Sequence, residues 1–179
     1  MVDRPRLEAR RLGRVPYEEG LRLQEDLERK RLAGQVPDTA LVLEHPPVIT
    51  LGHRGDRGNV IASPEHLKSL GVEVYRTSRG GDVTYHGPGQ VVVYPIIDLN
   101  AARMGAARFV ELLEEAMIRA VRAVGVRASR LPGKRGVFVD EAKLGAVGVH
   151  ISRGVTTHGL ALNVQPDLSH FCLLYTSPS

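Results

Sequence analysis

The sequence is poor in two kinds of side chain, the thiol and the aromatic ring. Its 179 residues include one cysteine, no tryptophan, five tyrosines and three phenylalanines. A single cysteine excludes an internal disulfide and is typical of a reducing compartment, so we expect a cytoplasmic protein. The tyrosines and phenylalanines do not interleave with arginine, which disfavours a surface that stacks on single-stranded nucleic acid.

Long hydrophobic runs are also missing. No apolar stretch approaches the roughly 18 residues that a membrane-crossing helix needs. The N-terminal residues 1–15 carry charges without an apolar centre, so we expect no signal peptide. With 42% hydrophobic and 25% charged residues, the composition is that of a soluble globular protein, and the length suits one compact domain.

Several familiar patterns of catalysis and nucleotide binding are absent. No helix opens after the glycines near residue 89, and no Gly-Lys-Ser/Thr follows them, so neither a dinucleotide fingerprint nor a phosphate loop is present. There is no Gly-x-Ser-x-Gly elbow, which disfavours a serine hydrolase. The seven histidines are scattered and no paired cysteines complete a zinc site, so we expect no metal and no cofactor.

Basic residues are in excess among the charges that are present. The sequence contains 24 lysines and arginines against 20 acidic residues, a formal net charge of +4. This balance favours an acidic partner, whether nucleic acid, an anionic cofactor or an acidic protein, without choosing among them.

A glycine-rich segment, RGGDVTYHGPGQ at residues 79–90, dominates the middle of the chain. Its glycines and proline exclude a helix and let the main chain pass close to a ligand, to which it can present N–H groups. Residues 71–77 before it and 90–99 after it are rich in β-branched side chains and tyrosine, which favours strands. We therefore predict a long ligand-binding loop between two antiparallel neighbouring strands.

The rest of the chain alternates helical and extended patterns. Proline pairs, N-caps and glycine stops set the boundaries. We predict strands at 7–15, 39–44 and 48–51, the last resuming the second after Glu-His-Pro-Pro; helices at 17–33, 64–71 and 100–124; a loop at 52–59; and an antiparallel meander of strands at 136–140, 144–151 and 155–164. Together these elements predict an α+β domain with a mixed, mostly antiparallel sheet and helices packed on one side.

Lys143 is a candidate for chemistry. It follows the acidic pair Asp140 and Glu141 and opens a strand beside two segments of small residues, 146–148 and 158–161. Small residues leave room for a ligand chain against the backbone, and that setting would desolvate the ammonium or pair it with a thiolate. We interpret His86 and His158 as hydrogen-bonding groups that shape the ligand loop, or as satisfied core histidines.

Four segments together resemble the lipoyl(octanoyl) transferases, which are relatives of lipoate–protein and biotin–protein ligases. They occur in the family's order and extend over nearly the whole chain to Phe171: EHPPVITLG at 44–52, RGGDVTYHGPGQ at 79–90, KLGAVGVHISRGVTTHGLALNV at 143–164 and DLSHF at 167–171. The resemblance implies the lipoate/biotin ligase-like α+β fold. It also implies transfer of an octanoyl group from acyl carrier protein, through an enzyme cysteine, to a lysine on a lipoyl domain.

The resemblance also implies roles for individual residues and partners. Lys143 falls on the lysine that lowers the pKa of the family's catalytic cysteine. The ordinary pKa of a cysteine thiol is about 8.5. The implied acceptors are lipoyl domains of 2-oxoacid dehydrogenases and the glycine cleavage H protein, and we expect a monomer. The implied acyl-binding residues are Arg79, Gly80, Gly81, Asp82, Val83, Thr84, Tyr85, His86, Ala146, Val147, Gly148, Gly159, Leu160 and Ala161.

The sequence departs from the family after Phe171. The family's Pro-Cys-Gly, whose cysteine is the nucleophile, falls on Thr176, Ser177 and Pro178, while Cys172 lies five positions too early. We therefore expect residues 1–171 to form a C-terminally incomplete domain, residues 172–179 to be foreign to the family, and the chain as written to lack a competent nucleophile at Ser177. Two alternatives remain: an ATP-dependent lipoate or biotin ligase, and a non-catalytic acyl-binding protein.

Overall fold

The computed structural model describes residues 7–175, which form two β-sheets and three α-helices. The helices are α1 (Tyr17–Leu32), α2 (Pro64–Ser69) and α3 (Ala106–Arg122). The strands are β1 (Leu7–Arg14), β2 (Asp38–Glu44), β3 (Val48–Leu51), β4 (Glu73–Arg76), β5 (Val83–His86), β6 (Gln90–Ile96), β7 (Val137–Val139), β8 (Ala142–Ser152) and β9 (Val155–Asn163). Short 3-10 helices occupy Arg57–Asn59 and Leu168–Leu173.

The larger sheet has six strands in the order β1-β2-β6-β9-β8-β7. Only β1 and β2 are parallel in it, and its other neighbours are antiparallel. The predicted meander is confirmed as β7, β8 and β9, because its connections are short enough for hairpins. The predicted α+β fold with a mixed, mostly antiparallel sheet is likewise confirmed.

A second, three-stranded sheet departs from the prediction. Its order is β4-β3-β5, with β3 parallel to β4 and antiparallel to β5. The prediction that strands 71–77 and 90–99 pair with each other was wrong, because β4 and β6 belong to different sheets. The glycine-rich segment is not all loop: Val83–His86 has the β-branched and aromatic residues of a strand and pairs with β3.

Two short connectors carry the chain between the sheets. Residues 45–47 join β2 to β3, and residues 87–89 join β5 to β6. The prediction that β3 continues β2 was therefore wrong, since the proline pair redirects the chain into the other sheet. The connectors lie together, with the Gly89 N–H donating to Glu44 Oε2 at 3.2 Å.

Helices α1 and α3 cover opposite faces of the larger sheet, so the prediction of helices on one side was wrong. Val92 and Tyr94 of β6 pack in one cluster with Leu27 of α1. Val93, between them, packs in another cluster with Phe109 of α3. Alternate residues of a strand point to opposite faces, which places the two helices on either side of the sheet.

Local capping sets the start of α2 but not that of α3. The Ser63 hydroxyl accepts from the His66 N–H at 3.2 Å and Pro64 takes the first helical position, as predicted for α2. Helix α3 begins at Ala106 rather than at residue 100. Asp98 Oδ1 accepts from the Ala101 N–H at 3.0 Å, which closes a turn there, and Arg103 has a positive φ of 49°. No described helix is long and apolar enough to cross a membrane.

A buried cluster of histidines and tyrosines joins α1 to both sheets. His45 Nδ1 lies 2.7 Å from the Val15 carbonyl oxygen, and its Nε2 lies 2.7 Å from Tyr94 Oη. Because a carbonyl only accepts, Nδ1 carries the proton and Nε2 accepts from the tyrosine hydroxyl. The rings of Tyr17 and His86 complete the contacts, 5.1 and 6.0 Å from the His45 ring centroid. These neutral rings hold the sheets and α1 in register.

Burial changes the protonation of the histidines. It lowers the pKa of His45, lowers that of His86 to about 3 and lowers that of His158 to about 4. The hydrogen bond from His86 Nδ1 to Gln90 Oε1, at 2.6 Å, only partly opposes this burial effect. In the folded protein the imidazoles of His86 and His158 therefore stay neutral in weak acid.

We predict that the protein loses stability as the pH falls below about 6.5. The unfolded chain then takes up protons that His86 and His158 refuse in the fold, so their contribution is complete above the unfolded pKa and is lost toward the folded values. Urea unfolding at pH 7.5 and at pH 5 should differ by about 2 kcal/mol for each of these histidines. The variant His158→Gln should lose about half of this acid sensitivity, and His66→Gln, exposed on α2, should keep all of it. Equal pH profiles for the two variants would contradict the prediction.

Candidate active site

A cavity of about 800 Å³ lies between the two sheets, a volume suited to a small-molecule ligand. It brings together almost all of the residues predicted for the site, from three separate segments of the chain. From the glycine-rich segment it is lined by Arg79, Gly80, Gly81, Asp82, Val83, Thr84 and His86; from β8 by Lys143, Ala146, Val147 and Gly148; and from β9 by Gly159, Leu160 and Ala161.

Tyr85 is not among the residues that line this cavity. It follows Thr84 in β5, so its side chain points to the other face of the smaller sheet. There it packs with Ile49 and Leu51, and its hydroxyl lies 2.6 Å from His170 Nδ1. The alternation of side chains along β5 thus places Tyr85 in the hydrophobic core of the smaller sheet.

The guanidinium of Arg79 organises the cavity wall. It is buried and donates from Nε and Nη2 to Thr50 Oγ1, from Nη2 to the Thr50 and Asp82 carbonyls, and from Nη1 to the Gly80 carbonyl, at 2.7–3.0 Å. Burial lowers the pKa of Arg79. Within residues 7–175 no carboxylate lies within 4.0 Å of it, so neutral oxygens solvate the charge.

Glycines permit the approach of the loop to β8. The Gly80 N–H donates to the Val149 carbonyl at 2.9 Å, and a Cβ on Gly148 would lie 2.9 Å from the Gly80 oxygen. Gly148 pairs with Gly159, and Ala146 with Ala161, across β8 and β9. This wall of small residues leaves the space that a ligand chain would fill.

Val147 and Leu160 take part through their backbone. Their side chains pack in the cluster that contains Phe109 and Leu113 of α3, on the far face of the sheet. Only the main chain of these two residues can then face the cavity, because successive side chains on a strand alternate between faces. Their predicted contact with a ligand is therefore a backbone contact.

Lys143, the second residue of β8, borders the cavity. Its Nζ lies 5.5 Å from the centroid of the Phe138 ring. The residue is exposed as a whole, yet partial burial of its amine lowers the pKa of Lys143, and the positive charge of Lys134 adds to that effect. A lysine with a lowered pKa beside an apolar slot is suited to proton transfer.

Polar atoms at the inner end of the cavity are incompletely satisfied. Tyr17 Oη and Asp82 Oδ1 are buried and have no hydrogen-bond partner within residues 7–175. His158, by contrast, is well satisfied. Its ring Nε2 lies 3.2 Å from the Ser78 hydroxyl, and its backbone N–H donates to Gln24 Oε1 at 2.6 Å. No cluster of three or more potential metal ligands occurs in this part of the chain.

Sequence reasoning missed cavity residues that come from distant segments. These are Tyr17 from α1; Arg54 from the loop after β3; Gln90, Val92 and Tyr94 from β6; Gly133 and Arg135 from the loop before β7; Gly145 from β8; Asn163 from β9; and Leu168, Phe171 and Leu174 from the C-terminal region. Tyr17 and Arg54 carried no local signal, since one looked like part of an amphipathic helix and the other like a solvated loop residue. Only the crossing of the two sheets brings them to the cavity.

The C-terminal region packs against the smaller sheet up to Tyr175. Leu173 and Leu174 are buried in its hydrophobic core, and the Tyr175 N–H donates to the Asn59 carbonyl at 2.8 Å. Cys172 is exposed. Ser177, the predicted nucleophile position, lies outside the described residues.

Comparisons with known proteins agree with this geometry. Residues 16–179 match the family described as the lipoyl protein ligase A/B catalytic domain. The chain is similar to an octanoyltransferase of Acidobacterium capsulatum, with 49% identity over 91% of this chain and 72% of that protein. It is also similar to a mitochondrial octanoyltransferase of Arabidopsis thaliana, with 47% identity over 92% of this chain and 71% of that protein.

The fold is similar to that of a solved structure of lipoate-protein ligase A bound with ATP. The two share a TM-score of 0.73 at 18% identity, over 94% of this chain and 72% of that one. At this level of identity the likeness concerns the fold alone. The family match over residues 16–179 establishes that the chain belongs to the family of lipoyl protein ligase A/B catalytic domains.

Proposed function

We propose that this protein is an acyltransferase of lipoate biosynthesis that binds an octanoyl group in the cavity between its two sheets. The donor is the thioester of an acyl carrier protein, and the acceptor is a lysine amine on a lipoyl domain of a 2-oxoacid dehydrogenase or on the glycine cleavage H protein. The observation that carries the proposal is the convergence of the Lys143 amine and the wall of small residues on one cavity. Relatives named octanoyltransferase, at 47–49% identity, support it.

The cavity suits an acyl chain for physical reasons. Ala146, Gly148 and Ala161 present little more than backbone and methyl groups, so a methylene chain can lie flat on the sheet. The thioester carbonyl would then lie toward Lys143, where amide N–H groups of the glycine-rich segment and the amine can polarise it. We place Arg79 as the residue that holds this segment in shape.

The proposed chemistry has two steps, transfer of the acyl group to an enzyme sulfur and then to the acceptor amine. A thiolate sulfur attacks the carbonyl carbon of the donor thioester, the bond to the carrier sulfur breaks, and the released carrier thiolate takes up a proton. The acceptor amine then attacks the enzyme thioester, loses one proton and displaces the enzyme sulfur. In its ammonium form Lys143 favours the enzyme thiolate, and in its neutral form it accepts the proton from the acceptor amine.

The nucleophile is the residue at which this sequence departs from the pattern of the resembled family. Serine stands at position 177, where the resemblance expects cysteine. A serine hydroxyl is a much weaker nucleophile than a thiolate at neutral pH. We therefore propose that the chain as written binds the acyl group and transfers it poorly.

The variant Ser177→Cys should gain the first chemical step. Incubation with octanoyl acyl carrier protein should add one octanoyl group to the introduced thiol, which intact-protein mass spectrometry detects. The transfer rate to a lipoyl domain should rise by about 10²-fold or more, since a thiolate replaces a hydroxyl.

Cys172→Ser provides the matched control for this experiment. Combined with Ser177→Cys it should leave the octanoyl adduct in place, because Cys172 is exposed and lies outside the predicted position. Rapid turnover by the unmodified chain, or a stable octanoyl thioester on Cys172, would contradict the proposal.

Lys143 should affect the two steps differently when it is replaced in the Ser177→Cys background. Lys143→Met should lower transfer by about 10²-fold or more, because it removes both the charge and the base. Lys143→Arg should keep formation of the enzyme thioester, since the charge remains, yet slow its aminolysis, since a guanidinium does not give up its proton.

Single-turnover measurements of thioester formation and decay separate these two effects of Lys143. Lys68→Met, on the exposed face of α2, removes the same charge away from the cavity and should change neither rate. Equal losses for Lys143→Met and Lys68→Met would exclude the proposed role. Octanoate-dependent exchange of labelled pyrophosphate into ATP would instead favour an adenylating ligase.

A further inference from the structure

We propose that Arg54, Lys134 and Arg135 form a basic rim at the mouth of the cavity that binds an acidic face of the donor carrier protein. The inference rests on the proposed function and adds to it the surface on which the donor docks. These three residues belong to two loops that are far apart in sequence, residues 52–59 and 130–136.

Both loops border the cavity from opposite sheets. Arg54 follows β3 of the smaller sheet, and Arg135 precedes β7 at the edge of the larger sheet; both line the cavity and both are exposed. Lys134 is close enough to Lys143 for its charge to lower the pKa of the Lys143 amine. Arg54 and Arg135 therefore reach the cavity from opposite sheets, and Lys134 precedes Arg135 in the chain and acts on Lys143.

The backbone of each loop is anchored while the cations remain exposed. The His53 N–H donates to the Arg79 carbonyl at 2.8 Å, and the Arg54 N–H donates to the Gly81 carbonyl at 3.2 Å. The other loop is anchored to Glu114 of α3, which pairs with Arg130 at 2.9 Å and accepts from the Gly136 N–H at 2.9 Å. Fixed backbones present the charges at defined places, which lowers the entropy that binding must overcome.

The rim cations differ from several basic residues on the helices in having no acidic partner in the described part of the chain. Basic residues on α1 and α3 have acidic neighbours, as in Arg22 with Glu18 at 2.6 Å and Arg108 with Glu111 at 3.0 Å. Within residues 7–175, Arg54, Lys134 and Arg135 form no ion pair with a carboxylate.

Three acidic residues lie near the rim. Asp56 lies in the same loop as Arg54, and its carboxylate caps the 3-10 helix by accepting from the Gly58 N–H at 2.8 Å. Asp140 and Glu141 lie in the turn between β7 and β8. Among the residues that the structure describes, none of these three carboxylates forms an ion pair with a rim cation.

A carrier protein is the occupant that fits this arrangement. Carrier proteins are typically acidic, and an exposed rim of one sign around a deep slot favours a partner that inserts one chain and rests its own surface outside. Complementary rim charges mainly speed association and make it sensitive to salt.

The test measures binding of an octanoyl carrier protein in which an amide replaces the thioester, so that no transfer occurs. The double variant Arg54→Glu/Arg135→Glu should weaken this binding by at least about tenfold at low salt and flatten its salt dependence. The matched control Arg11→Glu/Arg122→Glu changes the net charge equally, on exposed residues at the far edge strand and at the end of α3, and should weaken binding by less than about twofold.

Small ligands distinguish the protein surface from other sources of binding. Octanoyl-pantetheine amide and octanoyl-4′-phosphopantetheine amide should each lose at least about threefold less affinity for the rim variant than the carrier protein loses, since neither carries the acidic face. The opposite result is that the phosphorylated amide loses as much affinity as the carrier protein does, while the unphosphorylated amide loses none. That result would overturn the proposal and assign the rim to the phosphate.

The remaining outcomes also decide the question. Equal weakening by the rim variant and the control variant would overturn the proposal, because it would show a general charge effect. If the unmodified chain binds octanoyl-pantetheine amide but not the carrier protein, the rim proposal fails and the acyl site stands. If it binds neither, both fail.

Discussion

The buried Arg79 guanidinium is the interaction on which the rest of the structure depends. One side chain bonds to Thr50 of β3 and to the carbonyls of Gly80 and Asp82, so it fixes the smaller sheet and the glycine-rich segment in one unit. The Gly80 N–H then joins that unit to β8. A buried cation must be solvated by oxygens, and here backbone and hydroxyl oxygens do so, which is why the segment cannot relax into an ordinary hairpin loop. The ligand cavity is the space that this arrangement leaves.

Local signals in the sequence were sufficient for most elements and for much of the site. Ser63 with Pro64 located α2, and the brief connectors after Asp140 and Ser152 located the meander. The resemblance of the glycine-rich segment to a known family placed Arg79 and Lys143 at one cavity, although they are far apart in the chain. These features depend on capping, turn length and motif content, which a sequence states directly.

Long-range pairing was beyond the reach of such signals. Nothing in Val83–His86 specifies β3 as its partner, and nothing before Val48 states that the chain leaves one sheet for another. The alternation of side chains along β5 then placed Tyr85 in the core. Neighbouring residues of a strand face opposite sides of the sheet, so Thr84 lines the cavity while Tyr85 does not. The proposed basic rim was hidden for the same reason, since Arg54 and Arg135 come to one cavity only through tertiary structure.

The two connectors at 45–47 and 87–89 have a mechanical consequence. Each has three residues, and Glu44 links one to the other, so the two sheets are held close together where the chain passes between them. The separation of the sheets at that end of the cavity is therefore fixed by the covalent length of two short connectors. For the proposed acyl ligand, this sets a bound on how far the slot opens at that end, and a longer chain would have to leave its excess outside.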